Sequence, residues 1–285
     1  MPVLNESAEI QTARTVSALT GPEAGEFDVH AFGCRFRLAA SNPDAVEVLQ
    51  RFVFPTLPRI SPGVAEPDHR ICLEANKGKY RLFADDAFVA SAPEAKDLVV
   101  ELIRVLDETI VEHLNALHAV HAGAVLWRGR VLLLPGKSHA GKSSLVAELL
   151  RQGATYFTDE YALIDRDGWV HPYPRPLLLR NGSPRQMPAL AEECNARVGD
   201  TAAPVGMILF VVYSPDRAWS IEPTSQGIAF LNLLKNTPHV LTASPEMVAS
   251  FQRAVADARC FAGTRGDAVE ASRRILRMID ENAAA

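Results

Sequence analysis

Residues 136–143 read Gly-Lys-Ser-His-Ala-Gly-Lys-Ser, with the apolar run Val131–Pro135 before them and Ser-Ser-Leu-Val-Ala-Glu-Leu-Leu from Ser143 onward. The pattern G-x-x-x-x-G-K-[ST] has meaning only between a strand and a helix, and both flanks fit. It constrains the fold because a strand must turn directly into a helix at its carboxyl end. Consecutive backbone N–H groups at such a helix start, aided by the helix dipole, suit phosphate oxygens. Gly141 lets the backbone approach closely. Lys142 would reach the β- and γ-phosphates, and the Ser143 hydroxyl would sit on Mg²⁺. The candidate nucleotide-binding segment is therefore Gly136, Lys137, Ser138, His139, Ala140, Gly141, Lys142, Ser143 and Ser144.

The rest of the chain narrows the class. It has 285 residues, 48% hydrophobic, with a formal charge of -5. That length suits one large domain or two ordinary ones. A mildly acidic chain argues against a general nucleic-acid binder. No apolar run approaches the roughly 18–20 residues of a membrane helix. The N-terminus lacks a charged start followed by an apolar block, so no secretory signal is expected. Cys34, Cys72, Cys194 and Cys260 are scattered without a C-x-x-C pair. They read as reduced thiols in a cytoplasmic protein.

Periodicity predicts the elements. Residues 1–25 read as a flexible tail. Phe27–Leu38 alternates and reads as one half-buried strand. Asn42-Pro43 opens a short helix to about Phe52. Arg70–Glu74, Lys79–Ala84 and Phe88–Ala90 read as strands. Leu98, Leu102, Val105, Leu106, Ile110, Leu114 and Leu117 form the apolar stripe of a long helix from about Pro93 to Leu117. Residues 26–118 thus form a small α+β module, and 119–285 a second domain. There, His121–Trp127, Val131–Leu134, Thr155–Thr158, Tyr161–Asp165 and Gly206–Tyr213 read as strands. Ser225–Lys235 and Pro245–Arg259 read as helices, and Asp267 caps a last one to about Asp280. The expected class is α/β, with a central sheet flanked by helices.

Within this frame the order is His121-Ala-Gly-Ala-Val-Leu, an apolar strand, the glycine-spaced loop, a helix ending at Gly153, then Tyr-Phe-Thr-Asp159-Glu160. That succession resembles the catalytic domain of the HPr kinase/phosphorylase family, best over residues 119–181. The resemblance implies a phosphate-loop kinase domain using ATP and Mg²⁺. Asp159 falls on the first acid of the family's Asp-Asp pair, the general base toward the attacking hydroxyl. A seryl hydroxyl is a poor nucleophile, so an aligned carboxylate is chemically apt. Glu160 falls on the second acid and would help place Mg²⁺. His121 falls on the family's active-site histidine. His139 departs from the family's usual glycine, and no downstream Leu-Asn-Ile-x-Asp stretch is found. Leu231-Asn232-Leu233-Leu234 is a faint echo of it. Neither phosphorylase activity nor HPr itself as substrate is therefore implied.

Other residues keep two readings. Asp-Glu after a strand also fits a solvated turn. Arg175, Arg180 and, more remotely, Arg265 could stabilise charge developing on a transferred phosphoryl group, or be ordinary arginines. Tyr173 and His118 read as structural. The leading expectation is a kinase acting on a hydroxyl, most simply serine of a protein or peptide, as some relatives of this family do. A small-metabolite kinase and a nucleotide sensor without turnover are the alternatives. The N-terminal module, with exposed strand edges, would bind the acceptor or assemble a homo-oligomer.

Overall fold

A computed structural model describes residues 24–61, 66–136, 141–180, 182–215 and 219–283. The tail expected over 1–25 lies outside these residues except at its end, where the first strand already begins.

The alternation over Phe27–Leu38 folds as two strands, not one. β1 (Gly25–Ala31) and β2 (Cys34–Ala40) form a hairpin. Phe32 and Gly33 turn the chain with φ of 48° and 100°. Two successive positive-φ residues give the twist that a tight hairpin needs. The inward positions switch from odd, at Val29 and Ala31, to even, at Cys34, Phe36, Leu38 and Ala40. Phe32 shares the parity of the second set, which hides the turn in the sequence.

α1 (Pro43–Phe52) starts where expected. The Asn42 side chain accepts from the Ala45 N–H at 3.0 Å, with Pro43 in the first turn. β3 (Arg59–Ile60), β4 (His69–Asn76), β5 (Lys79–Ala84) and β6 (Ala87–Ala92) complete a six-stranded sheet of order β3-β1-β2-β4-β5-β6. Only β2 and β4 run parallel, and α1 lies in the crossover between them. α2 (Val99–Glu112) follows a short 3₁₀ turn at Ala95–Leu98. Val48, Leu49, Phe52, Leu102, Leu106 and Ile110 form one core with Phe36, Leu38, Ile71, Leu73 and Leu82.

The long helix expected to Leu117 stops at Glu112. Leu117 instead begins β7 (Leu117–Trp127), where it pairs with Asp165. Ladder pairing thus claims residues whose spacing also continued the helical stripe. β8 (Arg130–Pro135) returns antiparallel to β7. α3 (Lys142–Arg151), β9 (Thr155–Thr158), β10 (Tyr161–Asp165) and β11 (Trp169–His171) follow. β12 (Leu177–Leu179) and β13 (Met187–Ala189) pair as a separate ribbon. β14 (Ala203–Tyr213), β15 (Ser220–Pro223), α4 (Gln226–Lys235), α5 (Pro245–Ala256), β16 (Arg259–Arg265) and α6 (Ala268–Ala283) complete the chain. The helix expected over 245–259 ends at Ala256, because Arg259–Arg265 pairs in parallel with Met207–Tyr213.

The second sheet has the order β11-β10-β7-β8-β14-β16-β15, with β9 beside the far half of β7. β8, β14 and β16 are parallel. Strands buried on both faces read as continuous apolar runs, which explains Val-Leu-Leu-Leu at 131–134. Leu132 and Leu134 pack toward α3 and α6, whereas Val131 and Leu133 pack toward α4 and α5. The fold is therefore mixed α/β, with helices on both faces of this sheet. All four cysteines are free thiols. Among the described residues, no helix is long and apolar enough to cross a membrane.

Candidate functional site

The carboxyl ends of β8 and β9 meet beside the start of α3. Open α/β sheets bind ligands at the carboxyl ends of their strands. Lys137, Ser138, His139 and Ala140 lie outside the described residues, so the loop is seen from its two ends. The Gly136 N–H donates to the His121 carbonyl at 3.2 Å. Gly141 caps α3 in the left-handed region, with φ of 77°. A Cβ there would lie 2.5 Å from the Arg265 guanidinium, which would have to shift, and the left-handed backbone separately favours glycine. Lys142 is buried, and its ammonium donates to the Gly136 carbonyl at 2.6 Å. The lysine thus folds back onto the residue that follows β8. Burial lowers its pKa, against the pull of Glu160 and Asp159. Ser144 points to solvent.

β7 creates the acid corner. Its first half pairs with β10 and its second half with β9, so the chain bends between them at Asp159-Glu160. The Ala122 N–H donates to the Glu160 carbonyl at 2.9 Å and pins that bend. His121 pairs with Tyr161 in the ladder, and its N–H donates to Asn236 at the end of α4. The His121 ring Nε2 lies 2.6 Å from Glu160 Oε1.

The two adjacent acids differ sharply. Asp159 is fully buried and hydrogen-bonded to Ser143. Its Oδ1 accepts from Arg175 Nη1 at 3.2 Å, and its Oδ2 from the Leu178 N–H at 3.3 Å. Burial raises its pKa, Arg175 opposes this and Glu160 adds to it, for a net rise. The Glu160 side chain keeps 27% exposure. Burial pushes its carboxyl upward too, but His121, Arg175 and Lys142 outweigh that and hold it below the usual range.

Arg175 links these acids to α2. Its Nε lies 2.7 Å from Asp107 Oδ2, an ion pair in which the N–H does not aim squarely at the oxygen. Its Nη1 is 3.9 Å from Glu160 Oε2. Burial works against the guanidinium charge, but Asp107, Asp159 and Glu160 outweigh it and raise its pKa. The Tyr173 hydroxyl donates to Asp107 Oδ1 at 2.6 Å, and the Tyr156 hydroxyl to the Arg175 carbonyl at 2.8 Å. Burial pushes Asp107 up to about 7, with Arg175 and Tyr173 opposing. Tyr173, expected to pack, therefore also carries a buried hydrogen bond.

Arg265 approaches from the other side. It is buried at the end of β16, donating from Nη1 to the Gly266 carbonyl at 2.8 Å and from Nη2 to the Gly141 carbonyl at 2.7 Å. Its guanidinium lies 5.1 Å from the Tyr213 ring centroid. Arg180 is turned into its own loop, donating to the Pro184 carbonyl. A groove of about 1050 Å³ between α1, α2 and β13 is lined by none of the acid-corner residues.

The donors suit a hard cation. Ser143 and Asp159 are hydrogen-bonded neighbours and Glu160 adjoins them. A hydroxyl and one or two carboxylates leave most positions to phosphate oxygens and water, which is how Mg²⁺ is usually held with nucleotides. Among the described residues, no group of three or more His, Cys, Asp or Glu forms an all-protein metal cage.

His121, Lys142, Ser143, Asp159, Glu160 and Arg175 thus come together. Sequence reasoning overlooked Asp107. Its signal was present: it lies four residues after Ile103 and three before Ile110, both buried, so a carboxylate occupies the apolar face of α2. No protein-family model matches the chain, and no curated protein matches it either.

Proposed function

We propose that this chain is a Mg²⁺-dependent kinase that transfers the γ-phosphoryl group of ATP to a hydroxyl, in the first instance serine of a protein or peptide. The observation that carries this reading is the meeting of Gly136, Lys142 and Ser143 with two electrostatically unlike acids and His121. The resemblance to the HPr kinase/phosphorylase family supports the same chemistry. The free thiols accord with a reducing cytoplasm.

In the reaction, the acceptor oxygen bonds to the γ-phosphorus while the bond from that phosphorus to the bridging oxygen breaks. The hydroxyl proton passes to a carboxylate, and the nucleoside diphosphate leaves with the bonding electrons. Loop amides and Lys142 hold the phosphates through positioned donors. Mg²⁺, when bound, supplies positive charge beside the phosphates, with Ser143 and an adjacent acid to hold it.

The resemblance casts Asp159 as base and Glu160 as the magnesium acid. Exposure favours the converse division. Asp159 is fully buried beside Ser143, the hydroxyl that would hold Mg²⁺, whereas the Glu160 side chain is 27% exposed, held below the usual carboxyl range and joined to His121. A partly exposed carboxylate can reach an acceptor proton, and His121 can orient it.

The test supplies γ-labelled ATP and Mg²⁺ to an extract of the source cells with wild type or Lys142→Ala. Lys142-dependent label on polypeptide serine is the expected result. Label in a small molecule moves the function to metabolite phosphorylation. Free phosphate alone, or no label despite nucleotide binding, overturns the kinase reading in favour of a sensor. Glu160→Gln should lower turnover about a hundredfold or more while leaving nucleotide affinity within about twofold. If Asp159→Asn alone does this, the family's division of roles holds.

A further inference from the structure

We propose that Asp107 is a positioning residue for the acid pair, acting through Arg175 to keep Asp159 available to the magnesium–nucleotide complex. The inference rests on the kinase-site reading and adds a residue from the other half of the molecule. Asp107, Tyr173 and Arg175 are each no more than 3% exposed, and Asp159 is fully buried. α2 belongs to the core of the six-stranded sheet, yet it sends one carboxylate out of that core to the acid corner.

The geometry divides one guanidinium between two sides. Nε lies 2.7 Å from Asp107 Oδ2 as an ion pair without a well-aimed hydrogen bond, whereas Nη1 donates to Asp159 at 3.2 Å and lies 3.9 Å from Glu160. The short contact is with the acid remote from the phosphates. Tyr173 fixes the other oxygen of Asp107, so the carboxylate cannot turn away. A guanidinium drawn toward Asp107 neutralises Asp159 only in part. Without Asp107 it would settle on Asp159 and Glu160 and compete with Mg²⁺ for their oxygens. Groups behind metal ligands tune affinity in this way. Asp107 lies in the middle of α2, and an aspartate there is otherwise a poor choice for a buried helix face.

The experiment measures a fluorescent ATP analogue binding to the full chain, in EDTA and across a Mg²⁺ titration, alongside turnover. Wild type, Asp107→Asn, Asp107→Glu and Tyr173→Phe are compared. For Asp107→Asn the metal-free affinity should stay within about twofold, while the Mg²⁺ concentration for half-maximal effect rises about 10-fold. Asp107→Glu should recover part of that shift, and Tyr173→Phe should show a smaller one. An unchanged Mg²⁺ requirement in Asp107→Asn overturns the proposal. So does a loss of binding equal in EDTA and in Mg²⁺, which would mark a structural role only. If Asp107→Asn does not fold, Tyr173→Phe decides on the same criterion. If wild type binds Mg²⁺-nucleotide without transferring phosphate, the kinase reading fails and the binding titration still judges Asp107. If wild type binds no nucleotide, both fall.

Discussion

Two arginines flank the start of α3, both almost closed to solvent but in unlike electrostatic surroundings. Arg175 sits among Asp107, Asp159 and Glu160, and its pKa is raised. Arg265 is held by two backbone carbonyls and the Tyr213 ring, and burial lowers its pKa. Arg265 Nε makes no hydrogen bond among the described residues. Burial alone therefore says little about what an arginine does. Carboxylate partners spend the charge of Arg175 on holding acids in place. Among the described residues, Arg265 meets carbonyls and the Tyr213 ring directly and a carboxylate, Asp267, only as an electrostatic neighbour, so its charge is less closely compensated than that of Arg175. The first arginine organises anionic protein groups, and the second is suited to favour an anionic ligand.

The most forceful way to break this contrast is to remove each guanidinium. Arg175→Met leaves Asp107 and Asp159 buried without their cation, a loss of about 3–5 kcal/mol of stability. Arg265→Met strands two carbonyl oxygens and removes a weaker attraction to Asp267, and should cost about 1–2 kcal/mol. Urea unfolding of both variants measures the difference, and equal losses would erase the distinction. The pH dependence sharpens it. Asp107 has a folded-state pKa of about 7 against an ordinary 3.8, so the native state binds more protons between those values. Stability then falls as pH rises through that window. Without Arg175 the buried acids rise further and are neutralised at higher pH. The Arg175→Met deficit should therefore be smaller at pH 5 than at pH 8, and that of Arg265→Met nearly constant.

The binding side of the contrast gives the next effect. Arg265→Gln should weaken ATP binding about tenfold at low salt, with a smaller loss at high salt as ions screen the missing charge. Calorimetric titration in two salt concentrations checks it. An Arg265→Gln chain that binds ATP normally would make Arg265 a structural brace for Gly141 alone.

These two arginines also show what the sequence discloses. The strand before Gly136 and the helix after Gly141 were legible because their signals are local: an apolar run, a glycine and a helix start adjoin in the chain. The sheet was legible where burial on both faces leaves an unbroken apolar run, as in Val131–Leu134. The hairpin at Phe32-Gly33 was hidden because an aromatic side chain kept the alternation in phase through the turn. β16 was hidden because seven residues pair in parallel with a strand some fifty residues earlier, and no local signal records that. Asp107 and Arg175 lie 68 residues apart, and Arg265 and Gly141 are separated by 124. Each of those partnerships depends on topology, so residue type suggested a charge at each position without telling which partner would meet it.

A third arginine supplies the scale for the other two. Arg37 on β2 faces Asp28 across the hairpin, with Nε 2.8 Å from Oδ1 and Nη2 3.1 Å from Oδ2. Its side chain is 19% exposed, so water shares its charge, and Glu26 stands 3.8 Å away. The fork geometry is better aligned than that of Arg175, and Asp28 has a further interaction besides Arg37. Asp28 is itself only 2% exposed, so Arg37→Gln should cost about 1–3 kcal/mol, less than Arg175→Met because water reaches Arg37 and Asp28 keeps a further partner. Unfolding in urea at low and high salt measures it, and the loss should shrink with salt. If Arg37→Gln costs as much as Arg175→Met, alignment rather than dehydration governs these pairs, and the contrast between Arg175 and Arg265 would need to be rebuilt on hydrogen-bond geometry.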